Sequence, residues 1–134
     1  MLKKIQSQAY RCFVPRETKA AREGTATWFW VRQMSHHEAT LYDVDLERTR
    51  ARAQSLDPDN QAREATNFRC GKFAEVCEKI ENYEDDGGEP ITDPVRIKQF
   101  AIDYLTPDEV EFLLGAAKTG LMLREMDAET LKNA

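Results

Sequence analysis

The chain has 134 residues, 41% of them hydrophobic and 32% charged, with a net charge of −5. That length is one domain, 1–134, able to bury roughly two-thirds of the surface of its unfolded chain without disulfide or metal staples. No apolar run approaches the roughly 20 residues a bilayer span needs, and Met1-Leu2-Lys3-Lys4 turns polar too early for a signal peptide, so a cytoplasmic protein away from membranes is expected.

In chain order, Ala9 to Val14 (Ala-Tyr-Arg-Cys-Phe-Val) is rich in strand formers and is stopped by Pro15. Arg16 to Gly24 is charged, ends in glycine and reads as a connecting loop. Thr25 to Arg32 is the strongest strand, with Trp28 and Trp30 on one side and Phe29 and Val31 on the other. Apolar groups on both sides call for a cover on each, from helices or a second subunit. The two runs predict an antiparallel pair, too small to stand without helices packed on it.

Ser35-His36-His37-Glu38 is a capping box that opens a helix, and Tyr42, Leu46, Thr49, Ala53 and Leu56 follow as one stripe. Asp57-Pro58 ends that helix and starts the next, on which Cys70, Phe73, Val76, Cys77 and Ile80 form the apolar face. Glu81 to Glu89 is an acidic turn in which Gly87-Gly88 supplies positive φ. Asp93-Pro94 begins a helix with Ile97, Phe100, Ala101, Tyr104 and Leu105 buried. Thr106-Pro107-Asp108-Glu109 begins another, with Val110, Leu113, Leu114 and Ala117 as its stripe and Gly120 as its stop. Leu121-Met122-Leu123 is apolar, and Asp127 to Ala134 fits a last helical turn. The expected fold is α+β: an N-terminal two-stranded antiparallel β element followed by four to five helices.

Charge divides the chain. Residues 1–34 carry seven Lys or Arg against Glu17 and Glu23, a net +5, while residues 35–134 carry twelve basic and twenty-two acidic side chains, a net −10. Such a molecule could associate head to tail into a homo-oligomer, or bind a basic partner through its acidic part; solvated helix faces would give the same pattern. The acidic body opposes a nucleic-acid role for the basic segment with Trp28 and Trp30.

The residues that carry chemistry elsewhere are sparse. Cys12, Cys70 and Cys77 are odd in number, which argues against a disulfide framework and for buried small hydrophobes. His36 and His37 are adjacent, so their rings diverge by about 100° on a helix and cannot share a metal as an i, i+4 pair does. Asp85-Asp86-Gly87-Gly88-Glu89 lacks the alternating oxygen ligands of a calcium loop. Nucleophile elbows, phosphate-cradling glycine loops and Cys-x-x-Cys are missing. A non-enzymatic protein is expected, with no cofactor and no metal.

Three stretches carry a family resemblance. Cys12-Phe13-Val14-Pro15-Arg16-Glu17, then Trp28-Phe29-Trp30-Val31-Arg32-Gln33-Met34 running into the Ser35–Glu38 cap, is similar to the opening of tail assembly chaperones of long-tailed bacteriophages: a valine–proline–basic step, a charged loop, a strand and a Ser/Thr-capped helix. Ile102-Asp103-Tyr104-Leu105-Thr106-Pro107-Asp108-Glu109-Val110, with Leu131-Lys132-Asn133 near the end, resembles the helical C-terminal part of such proteins. The likeness is loose, spans most of the chain and rests on structural motifs.

The resemblance implies a host-cytoplasmic phage morphogenesis protein that coats the helical tape-measure protein and recruits tail tube subunits. Its task would be to hide apolar helix surface and later release it. Trp28, Phe29, Trp30 and Phe112 are the candidate contact residues, each with the core as its alternative place. A structural virion component (head–tail completion, tail terminator or capsid-associated) and a small acidic adaptor are the competing expectations. A −1 frameshift site is also implied, because Leu131-Lys132-Asn133 can be encoded by a slippery heptamer.

Overall fold

A computed structural model describes residues 1–2, 8–83 and 89–120. Three strands form one antiparallel sheet in the order β1 (Ala9–Cys12), β2 (Trp28–Arg32), β3 (Cys77–Glu81), with β2 in the middle. Five helices are described: α1 (Thr18–Glu23), α2 (His36–Ala53), α3 (Pro58–Val76), α4 (Pro94–Tyr104) and α5 (Pro107–Thr119). The architecture is therefore α+β, as expected, but with a third strand.

The extra strand corrects the helix expected to carry Cys77 and Ile80. α3 ends at Val76, and the chain turns extended at Cys77 (φ −93°, ψ 117°). Cys77 and Ile80 are three apart, a helical spacing that would place them on opposite faces of a regular strand. A bulge restores them to one face: Ile80 pairs with Phe29, Lys79 with Trp30 and Cys77 with Val31, leaving Glu78 as the additional residue. Ile80 also exchanges both backbone hydrogen bonds with Ile91, at 2.9 Å each, which covers that edge of β3.

The Arg16–Gly24 segment is not a plain loop either. Pro15–Glu17 forms a 3-10 turn and leads into α1, which Gly24 ends at φ +77°, a left-handed conformation that costs glycine least. The four predicted caps form as expected. Ser35 and Thr106 each complete a capping box, and Asp57 and Asp93 accept from backbone N–H groups of the first turn. Leu121–Leu123, Asp127–Ala134 and Gly87-Gly88 lie outside the described residues.

The core lies on one face of the sheet, between Cys12, Phe29, Val31 and Ile80 and the apolar sides of α3, α4 and α5. Phe29 is its centre, meeting the Phe73 ring edge-on at 5.9 Å and the Phe100 ring at 6.0 Å. α2 stands apart from this. Its buried residue is Thr49, it ends at Ala53 so that Leu56 of the expected stripe falls in the turn after it and is exposed, and it packs on α3 through Tyr42 against Phe68. No described helix is long and apolar enough to cross a membrane.

Candidate interaction surfaces

β2 alternates between two environments, and this sorts the sequence-predicted contact residues. Phe29 is 1% exposed and lies in the core, the alternative place expected for it. Trp28 and Trp30 project from the other face of the sheet, away from the helices of the core. Trp28 is nonetheless 7% exposed, because the Arg11 guanidinium lies 4.2 Å from its ring centre and the Phe13 ring meets it edge-on at 5.8 Å. Trp30 is half-buried. The Lys79 ammonium sits 4.9 Å over its ring, and its indole N–H donates to the Glu81 carboxylate. Phe112 on α5 is partly buried against the core. The cover expected over both faces of β2 is thus helices on one side and, over Trp28, a cation and a neighbouring ring on the other.

A cleft opens where the 3-10 turn, the start of β2 and the end of α4 meet. Tyr83, Phe100 and Tyr104 make an aromatic wall, with Phe100 stacked on Tyr104 at 4.4 Å and edge-on to Tyr83 at 5.5 Å. Its polar groups are engaged within the chain. Arg16 Nε donates to Glu109 Oε2 at 2.7 Å and Nη2 to the Tyr104 carbonyl at 2.6 Å, while Glu17 accepts from the Thr27 N–H at 3.3 Å. Asn82, at φ +59° in the left-handed region that asparagine tolerates, donates to the Ala26 carbonyl at 2.8 Å, a bond that ties the end of β3 to the segment before β2. These bonds hold the cleft walls together.

The third surface is the α2–α3 hairpin. A groove between the helices is floored by Phe68 and Thr49 and lined further by Ala51, Arg48, Arg52 and Lys72. Asp45 lies at the rim and accepts from Lys72 Nζ at 2.7 Å. That hydrogen bond, with the charges of Lys72, Arg48 and Arg52, holds the Asp45 carboxyl below the usual range although burial pulls the other way. Leu41 and Val44, 43% and 40% exposed, continue the same side of α2 toward its start. Three cations, one carboxylate and an apolar floor thus share one strip. Sequence reading passes over this strip because Arg48, Arg50 and Arg52 look like one alternating run. The helix sends Arg48 and Arg52 to one side and Arg50, paired with Glu47, elsewhere.

The remaining reactive groups are quiet. Cys12, Cys70 and Cys77 are buried and unbridged, and burial pushes the Cys77 thiol up to about 12. His36 and His37 are exposed at the start of α2. Among the described residues no group of three His, Cys, Asp or Glu is placed to hold a metal ion, and no buried side-chain nitrogen or oxygen lacks a partner. No protein-family model, no curated protein and no solved structure matches this chain.

Proposed function

We propose that this chain is a non-enzymatic phage morphogenesis protein, a tail assembly chaperone that binds the tape-measure protein and tail tube subunits in the host cytoplasm. The observation that carries the reading is the α2–α3 hairpin. It is a long helical pair that leaves Leu41 and Val44 of its outer helix, and Leu56 of the connecting turn, in solvent while its base is fixed to the sheet. A chaperone for a long amphipathic helix needs such a surface: helical, moderately apolar and rimmed by charge, so that many modest contacts form and later release. The strand leading into the Ser35-capped helix, on which the family resemblance rests, is the joint that presents this hairpin.

Co-expression with the tape-measure protein, followed by affinity capture, tests the reading directly. The expected result is a soluble complex and a tape-measure protein that aggregates when expressed alone. Mass spectrometry of purified particles against infected-cell lysate supplies the second arm. The chain belongs in the lysate and is absent from the particle, and stoichiometric presence in the particle would make it a structural virion component instead.

A further inference from the structure

The hairpin groove has a chemistry that selects its occupant. Arg48 and Arg52 are four residues apart on α2, just over one turn and about 6 Å along the axis. Lys72 faces them across the groove from α3 and is committed to Asp45 at 2.7 Å and Glu75 at 3.6 Å. Neither arginine has a carboxylate within ion-pair distance among the described residues, and Arg52 reaches only the Thr49 hydroxyl, at 3.4 Å. In a chain of net charge −5, two guanidinium groups side by side, sharing the field of the Asp45 carboxylate that Lys72 already binds, leave the strip with more cation than carboxylate and so form a local field for carboxylates. The floor has the pattern of a helix-packing seam. Leu41, Val44, Arg48 and Arg52 share one side of α2, with the Phe68 ring at its border on α3.

We infer that this groove takes an acidic amphipathic helix of a partner protein, laid along α2. Carboxylates one turn apart on that helix meet Arg48 and Arg52, and its apolar side covers Leu41, Val44 and Phe68. The match is geometric as well as electrostatic. Residues i and i+4 of a helix running alongside repeat at the spacing of the two arginines, and a guanidinium binds a carboxylate through two parallel N–H donors. The third helix would turn the hairpin into a three-helix bundle and remove its most exposed aliphatic side chains from water. A nucleic-acid strand fits less well, because the exposed Leu41 and Val44 that continue the strip offer apolar contact that an amphipathic helix can use and a phosphate backbone cannot. The inference rests on the chaperone reading for the identity of the partner, and on the groove alone for its chemistry.

The test uses the full chain and a fluorescently labelled synthetic helix with leucine along one face and glutamate at flanking positions, read by anisotropy. Saturable binding is expected, weakened about tenfold between low and high salt, because rim charges act through screened fields. The double variant R48E/R52E is expected to lose at least about tenfold in affinity while keeping its circular dichroism spectrum, and to gain affinity for the same helix with lysine in place of glutamate. Arg63→Glu, which changes an exposed cation of α3 away from the groove, is expected to leave binding unchanged. Equal binding of a sequence-scrambled glutamate peptide, tighter binding of a single-stranded oligonucleotide, or an R48E/R52E variant that binds as before would each overturn the proposal. So would a concentration-dependent dimer that R48E/R52E dissolves, since the groove would then belong to a second copy. The two readings fail separately. A tape-measure protein captured normally by R48E/R52E would refute the groove and leave the chaperone standing. A glutamate helix that binds while the tape-measure protein does not would do the reverse.

Discussion

Arg32, the last residue of β2, grips Glu38, in the first turn of α2, through two parallel bonds of 2.7 and 2.6 Å. The same carboxylate accepts from the Ser35 N–H at 3.1 Å to complete the capping box, and Arg32 donates a further bond of 3.0 Å to the Glu75 carbonyl of α3. One ion pair therefore ties the middle strand to both helices of the hairpin. The Arg32 hydrogen bond is the largest cause that brings Glu38 from an ordinary 4.5 down to about 2. A folded value below the unfolded one means stabilisation that is complete above about 4.5 and lost as pH falls toward about 2. Because the Glu38 side chain is 37% exposed, solvent screening trims the benefit to ~1 kcal/mol. Glu38→Gln should lower stability by that amount in urea unfolding at pH 7, and the gap to the parent should close at the acid end of this window. A gap of the same size at both ends would mean the charge is not the cause.

Phe29 and Trp30 are neighbours in sequence with opposite consequences. Phe29→Ala removes the ring on which Phe73 and Phe100 converge and should cost about 3–5 kcal/mol, the range for a large cavity in a packed core. Trp30→Ala gives up the Lys79 contact and the bond to Glu81 on the outer face and should cost about 1 kcal/mol. Thermal unfolding of the two variants separates these values. Similar losses would mean that Trp30 is more deeply held than its half-exposed ring indicates.

How much of this was legible in the sequence depends on how local the signal is. The starts of α2, α3, α4 and α5 were all legible, because an N-cap is written within four residues: Ser35 with Glu38, Asp57 with Pro58, Asp93 with Pro94, Thr106 with Glu109. β3 was not, because its bulge at Glu78 gives Cys77 and Ile80 the spacing of a helix, and only pairing with β2 reveals the strand. Alternation along Trp28–Val31 was readable, but which side meets the helices is decided by the distant Phe73 and Phe100. The hairpin groove was hidden for the same reason. Arg48 and Arg52 matter through their placement beside Phe68 and Lys72, about twenty residues further along the chain.

Two glycines set up a prediction of opposite signs. Gly120 ends α5 at φ +66°, and a Cβ there would run into the Gln33 side chain. Gly120→Ala should therefore destabilise by about 1 kcal/mol, chiefly through backbone strain at positive φ, since the end of the Gln33 side chain can swing aside. Gly71 lies inside α3, and a Cβ there would meet nothing within 4 Å, so Gly71→Ala should stabilise by up to about 1 kcal/mol through helix propensity alone. Urea midpoints of the two variants should move in opposite directions. A Gly71→Ala variant below the parent would mean that α3 needs the glycine for a contact made in solution.

The thiols offer a clock for opening of the fold. Cys12, Cys70 and Cys77 are all buried, and burial raises Cys70 above its ordinary value and takes Cys77 up to about 12. At pH 8 a raised thiol is almost wholly protonated, and the protonated form does not attack a disulfide reagent. Cys77 is also locked on the core face of β3, at the register position opposite Val31 in the middle strand. A chromogenic disulfide reagent should therefore label the native chain slowly, at a rate set by unfolding, and label all three cysteines at once in denaturant. Variants that weaken the core, Phe29→Ala foremost, should speed the native reaction in proportion to their loss of stability. Rapid labelling of Cys77 in the intact parent would mean that β3 separates from β2 without unfolding the rest, and that the third strand is a loosely held edge of the sheet.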